Sequence, residues 1–230
     1  SDFNSTRHNG GFTNISEAYV SKSGFTRMFS AVRYGKRYML KCLKPDFAYT
    51  PIYRQALMKE FEIGLQLDHP NICRTISMEP VGELGDCIVM EYVDGETLEA
   101  AVKGGNMTED KVRKIASQLL DAMEYMHAKQ TVHRDIKPSN IMLTHRGGDV
   151  KLIDFGLSDS ETFCVLKIPA GTIGYMAPEQ LQPGAKSDPC ADIYSFGKVL
   201  EYMAEAVRSK SLARVGQKCA ADECDRRPAD

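Results

Sequence analysis

The periodicity of apolar residues changes once along this chain of 230 residues, after Asp94-Gly95, and no other feature constrains the fold as much. Ahead of the change, apolar residues alternate in short runs: Ala18-Tyr19-Val20, Met28-Phe29-Ser30-Ala31-Val32 and Tyr38-Met39-Leu40. Ser21-Lys22-Ser23-Gly24 and Tyr34-Gly35-Lys36 separate them. Alternation sends successive side chains to opposite faces, so Glu17 to Lys44 is expected to form a three-stranded antiparallel meander. Leu57, Met58, Phe61 and Leu65 then recur at helical spacing within 54–68. Two more strands are expected over Ile72 to Val81 and Cys87 to Val93, joined by Gly82-Glu83-Leu84-Gly85-Asp86. Behind the change, Val112, Ile115, Ala116, Leu119, Leu120, Met123 and Met126 mark one long helix. Ile141-Met142-Leu143 and Val150-Lys151-Leu152-Ile153 follow it as a hairpin around His145 to Asp149. The expected class is α+β, with a lead-in over 1–15, a small antiparallel β lobe with one helix over 16–93, and a larger, mainly helical lobe over 94–230.

A formal charge of −2 supplies no basic surplus, so no nucleic-acid partner is expected. No apolar run approaches the roughly 18 residues of a membrane helix, so no membrane contact is expected. Ser1-Asp2-Phe3-Asn4 has neither the basic nor the apolar part of a secretory leader, which leads to the expectation of a cytoplasmic protein. The first residue is not Met, which leaves room for a longer parent chain. The seven cysteines are scattered and show no C-x-x-C pair, so reduced structural thiols are expected. Oligomeric state stays open.

Between the long helix and the hairpin stands His133-Arg134-Asp135-Ile136-Lys137-Pro138-Ser139-Asn140. Asp154-Phe155-Gly156 follows the second hairpin strand, and Ala177-Pro178-Glu179 closes the segment after it. A carboxylate at Asp135 suits the acceptance of a hydroxyl proton, and Lys137 can set positive charge beside an anion that develops nearby. Asn140 and Asp154 offer the hard oxygens that Mg²⁺ prefers. Singly, each motif also reads as a loop with a capped aspartate, and Lys137 as a solvated lysine. In this order and context the three resemble the catalytic loop, the D-F-G and the A-P-E of the eukaryotic-like serine/threonine protein kinase family, and the likeness extends from about Tyr19 to Pro228.

The resemblance implies a bilobal protein-kinase-like fold. It implies transfer of the γ-phosphoryl group of ATP to Ser/Thr hydroxyls of protein substrates, with Mg²⁺ or Mn²⁺ held by Asn140 and Asp154. Asp135 is then the base and Lys137 its cationic neighbour. Tyr38-Met39-Leu40-Lys41 resembles V-A-I-K, with Met39 in place of a small residue, which makes Lys41 the ligand of the α- and β-phosphates. Counting back from His69-Pro70-Asn71-Ile72 selects Glu60 as its partner. Glu62 is the rival, about 200° around the helix axis. Val89 to Gly95 resembles the family's hinge, with the Glu91 carbonyl and the Val93 amide for adenine, Met90 at the mouth of the back pocket and Met142 as adenine floor. Met90 and Met142 also read as core methionines. Val20, Ser21, Ser23, Gly24, Met28 and Met39 complete the implied nucleotide contacts.

Three departures accompany the likeness. Ser21, Ser23 and Thr26 replace the glycines of the phosphate loop, which stiffens it. Gly64 stands where the family has a bulky apolar residue, at a cost to the helix of about 1 kcal/mol. The stretch from Asp192-Ile193-Tyr194-Ser195-Phe196-Gly197 to Arg227-Pro228 is short, so a helix used for docking is expected to be reduced or missing, while Arg227 is implied to pair with Glu179. Lys137 and Gly171 to Met176, with Thr172 in the substrate platform, favour serine/threonine specificity. Ser158, Ser160 and Thr162 are candidate phosphosites, and Arg134 is their natural partner. Competing readings are a pseudokinase that binds or scaffolds, a small-molecule phosphotransferase, and, far behind, a metal hydrolase.

Overall fold

The computed structural model describes residues 9–20, 24–153, 174–181, 188–222, 224, 227 and 228, with the side chains of 19, 20 and 181 left aside. They divide into two compact units. One runs to Asp68 and resumes over Cys73–Tyr92; the other takes His69–Ile72 and the chain from Val93 on.

The first unit is an antiparallel sheet of β1 (Thr13–Val20), β2 (Thr26–Arg33), β3 (Lys36–Leu43), β4 (Thr75–Pro80) and β5 (Asp86–Glu91), in the order β1-β2-β3-β5-β4. Tyr34 and Gly35 make the β2–β3 hairpin with φ of 54° and 73°, the doubly positive pair that matches the twist of two-residue hairpins. Alternation divides the apolar residues between the faces. Phe29, Ala31, Leu40, Cys42, Cys87 and Val89 gather on one face with Phe12 and Val81, and Leu43 and Ile88 meet Leu57 on the other. Phe12 is 1% exposed, so the core begins within the expected lead-in and β1 starts at Thr13 rather than after residue 15.

Helix α1 (Pro51–Leu65) lies against β3 and β4. Its buried face is Ala56, Leu57, Glu60 and Gly64; of the expected stripe Leu57 is buried and Phe61 packs beside it, while Met58 and Leu65 are exposed. Small residues are what this face needs. A Cβ on Gly64 would run into Thr75 Oγ1 and sit 3.1 Å from Thr75 Cβ, so the glycine sets how close α1 comes to β4. The strand expected over Ile72 to Val81 also shortens. Ile72 makes a parallel bridge to Leu152, Leu152 N donates to Asn71 O and Asn71 Nδ2 donates to Val150 O, which assigns this tetrapeptide to the second unit.

The second unit begins with β6 (Gly95–Thr97), unforeseen in the sequence, which pairs with β7 (Ile141–Thr144), itself paired with β8 (Val150–Leu152). After the short α2 (Leu98–Lys103), α3 (Glu109–Ala128) is capped by Thr108, whose hydroxyl accepts from Lys111 N at 3.3 Å, with Glu109 and Asp110 in the first turn where the helix dipole favours anions. It buries Val112, Ile115, Leu119, Ala122, Met123 and Met126, the stripe read from the sequence. Helix α4 (Pro189–Ala206) is buried on nearly every side. It turns through Val207, Arg208 and Ser209 into α5 (Lys210–Cys219). These two helices touch at glycine: a Cβ on Gly197 would lie 2.5 Å from Gly216 O and 2.7 Å from Ala220 N. Among the described residues no further helix separates α5 from Arg227, in line with the short C-terminal stretch.

Candidate active site

The candidate side chains fall into two groups, one in each unit. In the first, Lys41 of β3 sits on the α1 side of the sheet and is 4% exposed. Its Nζ donates to Glu60 Oε1 at 2.5 Å, and Glu60 is itself 8% exposed. The helical phase excludes Glu62, which points outward and pairs with Lys59 at 3.6 Å. Withdrawing both charges from water is costly, and each offsets part of that cost for the other.

Register places the implied nucleotide contacts of this unit. Met28 is directly opposite Lys41, and Met39 directly opposite Met90, so these four side chains share one face. The Val20 backbone pairs with Arg27. Ser21 and Ser23 lie outside the described residues, and Gly24 forms a bend just before β2. Phe25 next to it stacks on Tyr53 at 5.1 Å, and Phe47 closes on Tyr53 at 4.7 Å. This aromatic trio, together with Lys44 N donating to Phe25 O at 2.9 Å, moors the far end of the glycine-poor loop to α1. Glu91 N donates to Arg74 O, while Arg74 N donates to the Glu91 carboxylate, each at 2.9 Å. The Glu91 carbonyl lies 3.6 Å from Cys73 Sγ.

In the second unit the loop 133–140 is held from beneath by Asp192 of α4, which is fully buried. Its Oδ1 accepts from Arg134 N at 2.9 Å. Its Oδ2 accepts from His133 N at 2.8 Å and from His127 Nε2 at 2.9 Å. Arg134 has φ of 73°, a left-handed conformation that costs a residue with a side chain about 1–3 kcal/mol, and the Asp192 carboxylate offsets that cost. The His133 ring is fixed at both nitrogens. Nδ1 accepts from Asp135 N at 3.1 Å, so Nε2 carries the hydrogen and donates to Ile153 O at 2.9 Å. In the sequence Asp192 marked only the start of the short C-terminal stretch; an aspartate among apolar residues was the available signal for its role.

On this footing Asp135, Lys137 and Asn140 converge. Asn140 Nδ2 donates to both the backbone O and Oδ2 of Asp135, each at 2.9 Å. Lys137 Nζ lies 3.6 Å from the same Oδ2. Asn140 is locked in turn, its N donating to Lys137 O and its O accepting from Ile153 N. Met142, half-buried, follows in β7 opposite Thr97 and Lys151. Val93 is also half-buried. Asp154, Thr172, Ser158, Ser160 and Thr162 lie outside the described residues.

Behind the A-P-E turn, Arg227 forks onto Glu179, with Nη1 to Oε1 at 2.7 Å and Nη2 to Oε2 at 3.1 Å. Its other N–H groups go to the carbonyls of Cys190, Ala221 and Asp222, so the buried guanidinium uses all five donors. Burial pushes the Glu179 carboxyl up, but the Arg227 hydrogen bonds and charge outweigh it and hold the group below the usual carboxylate range. Cys190 and Cys224 are joined in a disulfide with Cα atoms 5.8 Å apart, contrary to the expectation of reduced thiols throughout. A separation of 34 residues gave no hint of the pairing.

Residues 22–220 match the protein kinase domain, and the chain belongs to that family. It is 41% identical over 174 residues to mitogen-activated protein kinase kinase 9 of Arabidopsis thaliana, covering 71% of this chain and 53% of that protein. It is 38% identical to mitogen-activated protein kinase kinase 7 of the same plant, over 72% of this chain and 54% of the relative. Serine/threonine-protein kinase PrkC of Bacillus subtilis is 36% identical, over 70% of this chain and 25% of its own length. The chain thus spans between a quarter and about half the length of these relatives.

Proposed function

We propose that the chain transfers the γ-phosphoryl group of ATP to serine or threonine hydroxyls of protein substrates. The observation that carries this reading is the Asp135 carboxylate, oriented by the Asn140 amide with Lys137 beside it. Phosphoryl transfer asks the protein chiefly for position and charge. Asp135 accepts the hydroxyl proton and aims its oxygen, and Lys137 stabilises negative charge as it spreads over the phosphoryl oxygens.

Asn140 turns its N–H groups toward Asp135, which directs Oδ1 elsewhere as a hard donor that fits Mg²⁺ or Mn²⁺. Asp154 is the second ligand in this reading. The bound cation would neutralise phosphate charge. Lys41, steadied by Glu60, holds the α- and β-phosphates. Val20, Ser21, Ser23, Gly24, Met28, Met39, Met90 and Met142 contact the nucleotide, and the Glu91 carbonyl and Val93 amide read adenine. Four buried free cysteines suit a reducing compartment and support a cytoplasmic location.

One observation favours a second reading: the phosphate loop has Ser21, Ser23 and Thr26 in place of glycine, as a pseudokinase that binds without turnover could. Labelled Mg-ATP separates the two. Label on Ser or Thr of the chain itself or of a basic protein, lost in Asp135→Asn, is the expected result. Absence of label with a melting temperature still raised by ATP would hand the protein to the second reading.

A further inference from the structure

We propose that Cys190 and Cys224 form a redox-switched staple that controls the Glu179–Arg227 ion pair. The disulfide joins the first turn of α4 to the segment after α5, and both ends touch the surroundings of Arg227. Cys190 O accepts from Arg227 Nη1 at 3.0 Å, and Cys224 O accepts from Arg227 N at 3.2 Å. Ala221 and Asp222, whose carbonyls take two further guanidinium protons, belong to the same short segment. The carbonyls of Ala221, Asp222 and Cys224, three of the groups that position Arg227, are therefore tied to α4 by this one covalent link.

Glu179 transmits the effect. It stands in the turn Pro178–Leu181 beside Ala177 and Met176, which are buried, and the same stretch is tied to α4 by Ser195 Oγ donating to Tyr175 O. With the staple closed, the carbonyls of Ala221, Asp222 and Cys224 hold Arg227 with its guanidinium on the Glu179 carboxylate and 4.9 Å from the Tyr194 ring. With it open, Ala221, Asp222 and Cys224 lose their covalent tie to α4, and the half-buried Glu179 carboxylate is held to its counter-charge less firmly.

Two features mark the link as switchable rather than permanent. Neither Cys190 nor Cys224 is buried, as exchange with a small dithiol or attack by a peroxide requires. Cys42, Cys73, Cys87 and Cys219 are buried free thiols, as in proteins kept under reducing conditions, where an accessible disulfide exchanges. Closing proceeds in two balanced steps. One thiol takes an oxygen from hydrogen peroxide to give a sulfenic acid and water; the other displaces a second water as the S–S bond forms. Opening passes two electrons and two protons from a dithiol to the two sulfurs, and the dithiol becomes a disulfide. A soft cation is the alternative occupant, since the Glu179, Cys190 and Cys224 ligand atoms lie within 4.8 Å of one another. Arg227 already claims both Glu179 oxygens, which favours the disulfide.

The inference does not depend on catalytic turnover, and its test reads none. The whole chain is treated with hydrogen peroxide or with a dithiol, quenched with an alkylating reagent, and peptide-mapped; both forms and a Cys224→Ser variant are then melted. The expected results are a 190–224 cross-link after peroxide, free thiols after dithiol, and a melting temperature about 5–10 °C lower in the reduced wild type, with no redox-dependent shift in Cys224→Ser. Alkylation of both cysteines after peroxide, linkage of either to another cysteine, one equivalent of zinc released with the thiols, or identical melts in the two redox states would each overturn it.

Discussion

The two units hold their functional groups by opposite means. In the first, Lys41 and Glu60 come from a strand and a helix and meet only through their side-chain tips, so their contact depends on where α1 rests. In the second, the loop 133–140 is positioned through its backbone, because both oxygens of one buried carboxylate accept main-chain N–H groups. Side-chain tips can part and meet again at low cost. A backbone pinned by a buried charge cannot, and that makes the second group rigid before any ligand binds.

The sharpest way to break this contrast is to remove the pin. Asp192→Ala leaves His133 N, Arg134 N and His127 without their acceptor in a dry site, which should cost about 3–5 kcal/mol and release the strain at Arg134. Urea unfolding is expected to show that loss, and phosphate transfer should vanish with it. Glu60→Gln strikes the corresponding point of the first unit. It leaves a buried ammonium beside a neutral amide, at about 2–3 kcal/mol, and Lys41→Met in the same chain should recover part of this because no charge then stays stranded. A double-mutant cycle on melting gives the coupling directly. Additive effects of the two substitutions would mean that the pair is not the link between β3 and α1.

How much of this could be read beforehand follows from the same contrast. Lys41, Asp135 and Asn140 sit in contiguous motifs, and the resemblance of those motifs to the family's pointed to them. The helical period said only that one of Glu60 and Glu62 could face Lys41; counting back from His69-Pro70-Asn71-Ile72 chose Glu60, and the structure pairs it with Lys41. Asp192 and Cys224 act on residues some 58 and 34 positions away, and no local pattern reports such contacts. The face of α1 was misjudged for a related reason: periodicity marks where apolar residues recur, yet this helix buries a charged partner and a glycine and leaves Met58 and Leu65 outside. Ile72 looked like strand because it is apolar and flanks one, whereas the hydrogen bonds of Asn71 tie it to β8 in the other unit.

Gly64 sharpens the comparison, because it tests whether α1 position alone governs the first group. Gly64→Ala drives a methyl group into Thr75 and should push the helix end away from β4, at a cost of about 1–2 kcal/mol. Since Glu60 lies one turn earlier on the same buried face, the KM for ATP is expected to rise more than kcat falls. Adding Thr75→Ala removes Oγ1 and Cγ2 and should restore much of both. A Gly64→Ala protein with unchanged KM and stability would show that α1 has room to spare.

The smallest expected effect compares like with like, for an arginine–glutamate fork stands among the described residues of each unit. Arg33 binds Glu79 at 2.7 and 3.1 Å, the same two distances as Arg227 on Glu179, yet the Arg33 side chain is 17% exposed and that of Arg227 is 0%. In Glu79 the Arg33 hydrogen bonds lead in holding the carboxyl below its ordinary range; in Glu179 burial opposes the shift and the arginine overcomes it. Both folded-state values are depressed, so each fork contributes stability above the unfolded carboxyl value of about 4.3 and loses it as the pH falls through the folded value. The loss should be under about 1 kcal/mol for each fork, because both carboxylates keep contact with solvent. Melting curves from pH 6 to pH 3 are expected to flatten slightly in Glu79→Gln and in Glu179→Gln. They should flatten more in Glu179→Gln, where an unpaired Arg227 already destabilises the chain at neutral pH. Equal flattening in the two variants would mean that burial of the arginine makes no difference to the fork.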